Sequence, residues 1–344
     1  MPTPGRVLVK AVNWLGDLVI SLPALKAIRH AFPEACMAVL VRQELAGFFD
    51  GARWIDEIIP YTHGRGIPAW RAQWRIVSEI RARRFDLAIL FPNSFRSALW
   101  MAAARVPRRS GYATDGRGFL LTHKAVPAGE ALTAHQVHYY LDLLRRTVGI
   151  DDAVTDYALD VHEPHRAKMS AWLRERRRQR GRLIAVAPAA AYGPAKEWPA
   201  AHYRTLIDLL AERYGAECVL IGSPGERIRC QALAADSTHG AVVAAGETGV
   251  GESIALLSLC DGFAGNDSGS MHVAGALGIP TVGVFGSTNP QRTGPLGPKT
   301  QTIYHRIECS PCLERTCRFG HYNCLEQITA HEVTEALYAL GAIG

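Results

Sequence analysis

The stretch that most restricts what this chain can fold into is Asp261 to Gly286, DGFAGNDSGSMHVAGALGIPTVGVFG. An apolar segment from Ile254 to Ala264, ending near Gly265, reads as a strand. Asn266-Asp267-Ser268-Gly269 halts it, and a short helix with Met271, Ala274 and Leu277 on one face follows. Gly278 closes that helix and Pro280 opens another strand, Thr281 to Phe285. The polar residues fall in the turn where the helix begins. There, unpaired backbone N–H groups and the positive end of the helix dipole converge, and small side chains let an anion come close. Such a turn suits a nucleotide diphosphate. The plainer reading makes Asp267 or Ser268 a helix cap and nothing more. His272, one turn into the helix, and a second polar turn, Gly286-Ser287-Thr288-Asn289, favour the ligand, because parallel strands set such turns along one crevice.

The remainder of the chain has the same rhythm. Arg6 to Val12 reads as a strand, Asn13 to Asp17 as a turn, and Leu18, Leu22, Leu25 and Ile28 space a helix reaching Ala31. Strands at Met37 to Val41, Ile55 to Ile59 and Leu87 to Leu90 alternate with helices at Trp70 to Arg83 and Ser94 to Ala104. Gly149 to His165 loses periodicity, and a fresh series starts with a helix at Arg166 to Arg178, a strand at Leu183 to Ala187, a helix at Ala201 to Tyr214 and a strand at Cys218 to Ile221. Alternating strands and helices predict an α/β fold with parallel sheets. At 344 residues there is chain enough for two Rossmann-like domains, expected at 1–160 and 161–344 and facing each other across a cleft. The last helix is free to return to the first domain.

Charge narrows the partner. The net charge is +6, unevenly spread: from Arg65 to Lys124 there are twelve Lys or Arg against three acids, Glu79, Asp86 and Asp115. A second basic block, Arg174 to Arg180, fits a solvated helix face. An anionic substrate, a membrane surface or nucleic acid would each match the first excess. No apolar run approaches the length of a membrane span, and the first residues lack a signal-peptide layout, so a cytoplasmic location is expected.

Several side chains stand where chemistry is possible. Asp17, after the first strand, is either a helix cap or a general base for a substrate hydroxyl. Lys196, held between prolines in Ala189-Ala190-Ala191-Tyr192-Gly193-Pro194-Ala195-Lys196-Glu197-Trp198-Pro199, is placed to neutralise a phosphate. Glu226, beyond Gly222-Ser223-Pro224-Gly225, is either a ribose ligand or a first-turn carboxylate. There is no G-x-x-x-x-G-K-[ST] loop. The nearest dinucleotide-like string, Gly64 to Ala69, contains Pro68. No Asp-x-Asp pair offers a diphosphate-bound metal, so a metal-free phosphate site is expected and no cofactor. Cys36, Cys218, Cys230 and Cys260 lie in apolar contexts. Cys309-x2-Cys312-x4-Cys317-x6-Cys324, with His305 and His321 nearby, suggests zinc, an iron–sulfur centre or a structural loop; stable disulfides do not suit a cytoplasmic protein.

Together, NDSGSMHVAGALGIPTVGVFGSTNP, YGPAKEWP, NWLGDLVISLPAL, PNSFRSAL and CSPCLERTCRFGHYNCL resemble glycosyltransferase family 9, the heptosyltransferases of lipopolysaccharide synthesis, over nearly the whole chain. The resemblance implies a GT-B fold and inverting, metal-independent transfer from ADP-heptose to the phosphate-rich lipopolysaccharide inner core. It implies an enzyme lying peripherally on the inner face of the inner membrane. Asp17 would be the base, Lys196 would meet the donor pyrophosphate and Glu226 the ribose, and Asp267, Ser268, Gly269 and His272 would line the donor phosphates and heptose. Arg96, Arg108, Arg109 and Arg117 would meet the acceptor. Ala189-Ala190-Ala191 supplies no hydroxyl where relatives often carry Thr, leaving backbone N–H groups there. Other heptosyl transfers or the transfer of another sugar within the family, and a nucleotide-sugar epimerase or dehydrogenase, are the competing readings. A nucleic-acid binder would leave the polar strand-end turns without a purpose.

Overall fold

The computed structural model describes residues 3–62, 67–151, 156–179 and 181–344. The first three residues of the Gly64 to Ala69 string, Arg180 of the second basic block and part of the expected crossover fall outside these ranges. The chain divides into two compact units at Tyr157 and Ala158.

The first unit carries a parallel sheet of β1 (Arg6–Lys10), β2 (Cys36–Arg42), β3 (Glu57–Tyr61), β4 (Leu87–Leu90), β5 (Arg108–Tyr112) and β6 (His123–Ala125), in the order β3-β2-β1-β4-β5-β6. The second carries β7 (Leu183–Ala187), β8 (Glu217–Leu220), β9 (Val242–Val243), β10 (Gly262–Asn266), β11 (Thr281–Phe285) and β12 (Thr300–Tyr304), in the order β12-β11-β10-β7-β8-β9. Read from β9 inward, the second sheet has the same winding as the first. Both reverse direction between their first and fourth strands, at β1/β4 and at β7/β10. Doubly wound sheets bind ligands beyond the carboxyl ends of the strands at that reversal. Burial on both faces explains the continuous apolar runs: VLVK of β1, LAIL of β4 and LIAVA of β7 are buried throughout.

Four strands do not follow the expected pattern. β5 begins with Arg108 and Arg109, and β6 contains Lys124, so neither shows an apolar run. β9 has two residues and β12 only one buried residue, Ile303. The segment expected as one strand from Ile254 is instead a helix, Val250–Leu257, followed by β10. Its apolar residues serve both elements, and the boundary is set by polar groups. The Glu252 carboxylate accepts from the Gly249 N–H at 3.0 Å, and the Asp261 carboxylate accepts from the Leu183 N–H and from Arg182. The expected helix to Ala31 is two, Leu15–Ile20 and Leu22–Ala31, parted at Ser21, whose hydroxyl donates to Leu18 O. In the last helix, Ala330–Ala339, Val333, Ala336 and Leu337 pack with Tyr203, Leu206 and Val282 inside the second unit. Among the described residues, no helix is long and apolar enough to cross a membrane.

Lys10, the last residue of β1, is 1% exposed. Its ammonium donates to Ala11 O and lies 4.8 Å from the centre of the Tyr61 ring. Tyr61 in turn donates to Asn13 Oδ1 at 2.9 Å. Burial, with Arg42 as a smaller repulsion, lowers Lys10 to about 7. A lysine whose folded value lies below its unfolded one binds fewer protons when folded, so its contribution to stability grows as pH rises from about 7 towards its unfolded value near 10. Urea unfolding of wild type and Lys10→Met at pH 7 and 8.5 is expected to show wild type gaining on the variant by up to ~1.4 kcal/mol per pH unit. Parallel pH dependences would contradict the burial account.

Candidate active site

In the second unit the site grows from β7, β10 and β11. After β7 the chain turns at Gly193, whose φ of +143° favours glycine and whose added Cβ would lie 2.6 Å from Arg315 O. That turn brings Lys196 over Asp267, just past β10, with Nζ 2.5 Å from Oδ2. The Thr288 hydroxyl, past β11, donates to the same oxygen at 2.7 Å, and His272 Nε2 lies 3.9 Å from Oδ1. Asp267 is 5% exposed, so the pair is held away from water, where breaking it is costly. Asn266 fixes the arrangement from behind: its Oδ1 accepts from the Trp198 N–H and the Tyr203 hydroxyl, both at 2.8 Å.

Ser268 stands at the N-cap of the helix Gly269–Ala276 and makes no side-chain cap bond. Its hydroxyl oxygen and that of Ser287 are buried without a hydrogen-bond partner. Buried polar atoms are nearly always paired, so two such hydroxyls beside a lysine and a helix N-terminus mark a place built for an external acceptor of hydrogen bonds. The expectation that Asp267 or Ser268 serves only as a cap does not hold: Asp267 turns to Lys196 and Thr288, and the helix end is left open.

In the first unit Asp17 is half-buried in the first turn of Leu15–Ile20, whose N-cap is Trp14. It is therefore not the cap. Gln136 Nε2 donates to Asp17 Oδ1 at 3.3 Å and to the Tyr140 hydroxyl at 3.3 Å. Burial first, then the Asp17 charge, push Tyr140 far above the ordinary tyrosine range, so it stays a neutral phenol. Beyond β4, Asn93 donates to the Tyr139 hydroxyl at 2.6 Å and accepts from Arg117 at 3.2 Å.

Comparison with known proteins places these residues in a family. The model for glycosyltransferase family 9 (heptosyltransferase) matches residues 73–323. The chain belongs to that family. It is 29% identical to lipopolysaccharide heptosyltransferase 2 of Salmonella typhimurium, over 97% of this chain and 98% of the relative. The structure of the Escherichia coli ADP-heptose lipopolysaccharide heptosyltransferase II superposes with a TM-score of 0.83 at 27% identity, covering 97% of this chain and 98% of that one. A family 9 glycosyltransferase from Veillonella parvula shares the fold, with a TM-score of 0.85 at 22% identity over 98% and 97% of the two chains. The fold is GT-B, and the protein is a heptosyl-transferring glycosyltransferase.

Several expected contacts of this family 9 enzyme need correction. Arg117 is 0% exposed and spends its guanidinium on Tyr112 O, Pro92 O and Asn93, so it pins the β4 and β5 ends together and cannot meet an acceptor. Arg108 and Arg109 begin β5, at the amino edge of the sheet opposite the carboxyl ends. Arg109 donates to Leu120 O and Val106 O, and Arg108 to Asp86 O. Of the four arginines only Arg96, in the first turn of Phe95–Ala103 beyond β4, is both at the carboxyl edge and exposed. Glu226 closes a capping box, accepting from the Ser223 N–H at 2.6 Å, which is its plainer role. The Ala190 N–H donates to Glu197, itself held by Arg229. It is thus not available as the backbone donor expected there. The sequence does not single out Gln136, and shows Asn93 only within the PNSFRSAL segment and Thr288 only within its polar turn, because each acts on a residue distant in the chain.

Proposed function

We propose that this family 9 enzyme transfers an L-glycero-D-manno-heptosyl group from ADP-heptose to a heptose of the lipopolysaccharide inner core. One observation carries the donor half of the reading: the unpaired buried hydroxyls of Ser268 and Ser287 beside Lys196 and an uncapped helix N-terminus. The pyrophosphate accepts hydrogen bonds from these hydroxyls and from the Gly269 and Ser270 N–H groups. Lys196, steered by Asp267, offsets its charge, and His272 stands beside them towards the sugar. Asp17 accepts the proton of the acceptor hydroxyl as that oxygen bonds to the anomeric carbon. The carbon–oxygen bond to the β-phosphate breaks with inversion, and ADP departs with the electron pair. Donors preset where charge develops lower the barrier without a metal at the reacting carbon. Arg96 and the basic first unit suit a phosphorylated, lipid-borne acceptor met from the cytoplasmic side at the inner face of the inner membrane, and the names of the full-length relatives agree with this acceptor class.

A transfer assay with defined inner-core acceptors and a panel of nucleotide sugars tests the reading. ADP-heptose is expected to be used about 10-fold or more better than UDP- or GDP-sugars, with inverted product and with activity surviving EDTA. Preference for another nucleotide sugar, or epimerisation without transfer, would contradict it.

A further inference from the structure

Val7, Leu8 and Val9 of β1 are buried and apolar, and the strand then ends on Lys10, buried just as deeply. An ammonium taken out of water is costly unless an opposite charge meets it. The charge acting on Lys10 is instead of its own sign, Arg42 at the end of β2. An apolar side chain of similar length would fit this position at lower cost, so the lysine calls for a reason other than stability. Its place in the chain supplies one.

Lys10 stands directly before the turn Ala11 to Trp14, which joins β1 to the helix Leu15–Ile20. Its ammonium reaches forward over that turn, donating to Ala11 O and lying 3.5 Å from Asn13 Oδ1. The same Asn13 oxygen accepts from the Tyr61 hydroxyl, and the Tyr61 ring meets Trp100 of the helix Phe95–Ala103 edge-on at 5.3 Å. The turn is thus fastened to β1 and β3 together. It ends on Trp14, which takes the N-cap position without a side-chain cap bond, so the turn and not a cap decides where the helix starts. Asp17 is the third residue of that helix. Gln136 holds its carboxylate from one side, and Lys10 sets the backbone that carries it.

We propose that Lys10 is a positioning residue for the general base: its ammonium fastens the turn through Ala11 O and Asn13 and so fixes the direction from which Asp17 meets the acceptor hydroxyl. The role of Asp17 rests on the function proposed above; the fastening of the turn does not. An ammonium holds a carbonyl roughly twice as strongly as a neutral amine does. Lys10 is lowered to about 7, so the fastening is at full strength below that pH and loosens above it. The charged groups around Lys10 are Arg42, paired with Glu44 at 2.9 Å, and, across Tyr61, Arg96. Both arginines and Glu44 keep their charge from about pH 6 to 9, and Tyr61 is pushed up to about 12 by burial. Within that group Lys10 alone changes charge in this range.

Full-length wild type and Lys10→Met are compared in two measurements. In heptosyl transfer with both substrates saturating, Lys10→Met is expected to lower kcat about ten-fold at pH 6.5 while ADP affinity stays within about two-fold. The gap should narrow to about three-fold at pH 8.5, because wild type has by then lost the ammonium; a merely structural loss keeps one ratio at every pH. Asn13→Ala removes the other end of the contact without disturbing the buried charge, and should lower kcat in the same direction, with the double variant losing little more than Lys10→Met alone. It carries the kinetic test by itself if Lys10→Met does not fold. Without substrates, amide hydrogens in peptides spanning 11–20 should exchange faster in Lys10→Met at pH 6.5 than in wild type. Unchanged exchange there overturns the fastening. Faster exchange with an unchanged kcat, or with a kcat ratio that is the same at both pH values, overturns the link to the base. Faster exchange in a protein whose wild type transfers no heptose supports the fastening and counts against the function instead.

Discussion

Replacing Asp17 by asparagine is expected to lower heptosyl transfer by about 10²–10⁴-fold while ADP affinity stays within about two-fold. The substitution keeps the shape and the contact with Gln136 but removes the proton acceptor. A loss of that size is ~3–5 kcal/mol of barrier, and it should fall on kcat, because the proton moves only as the new bond forms. Gln136→Leu separates chemistry from positioning. It removes the Gln136 donor to the Asp17 carboxylate without removing the base, and is expected to cost much less, about ten-fold. Steady-state kinetics with ADP-heptose and core acceptor, beside calorimetry with ADP, read both effects. A variant Asp17→Asn that turns over near the wild-type rate would remove Asp17 from the chemistry.

Lys196→Ala should damage binding and stability together. The lysine faces Asp267 at 2.5 Å in a site where Asp267 is nearly inaccessible, so its loss leaves a carboxylate with the Thr288 hydroxyl as its close donor. Stripping one partner from such a pair costs about 3–5 kcal/mol of folding stability. The same stranded charge repels the donor diphosphate, and ADP affinity should fall by about 10²-fold. Adding Asp267→Asn to Lys196→Ala removes the stranded charge. It is expected to restore most of the stability and only part of the affinity, since the cation remains missing. Thermal unfolding and ADP titration of the two variants decide this. Unchanged ADP affinity in Lys196→Ala would take the lysine out of the donor site.

What could be read from the sequence followed from local rules. The Asp261 to Gly286 run, the Lys196 turn and the helix Ala200–Tyr214 each announce themselves by apolar runs and glycine or proline punctuation within a short window. β5 escaped because its buried residues, Ser110, Gly111 and Tyr112, are not apolar by composition; Ser110 is satisfied instead by the Thr147 hydroxyl at 2.5 Å. The Val250–Leu257 helix was hidden because its buried residues Ile254 to Leu257 form one continuous apolar run, which carries no period to read. Arginines misled in the same way: charge in the sequence says nothing of direction, and Arg117 is a buried brace while Arg108 and Arg109 sit at the wrong edge of their sheet. The partners of Asp267 could not be foreseen, since Lys196 and Thr288 reach it from separate strands.

The central claim is a division of labour, with the diphosphate held by the second unit and the base supplied by the first. Hydrogen–deuterium exchange of the full-length protein with and without ADP tests it directly. The account predicts slower exchange in peptides spanning 193–198, 266–272 and 286–289, with 11–18 unaffected. Protection of 11–18 by ADP, with 266–272 exchanging as before, would contradict it.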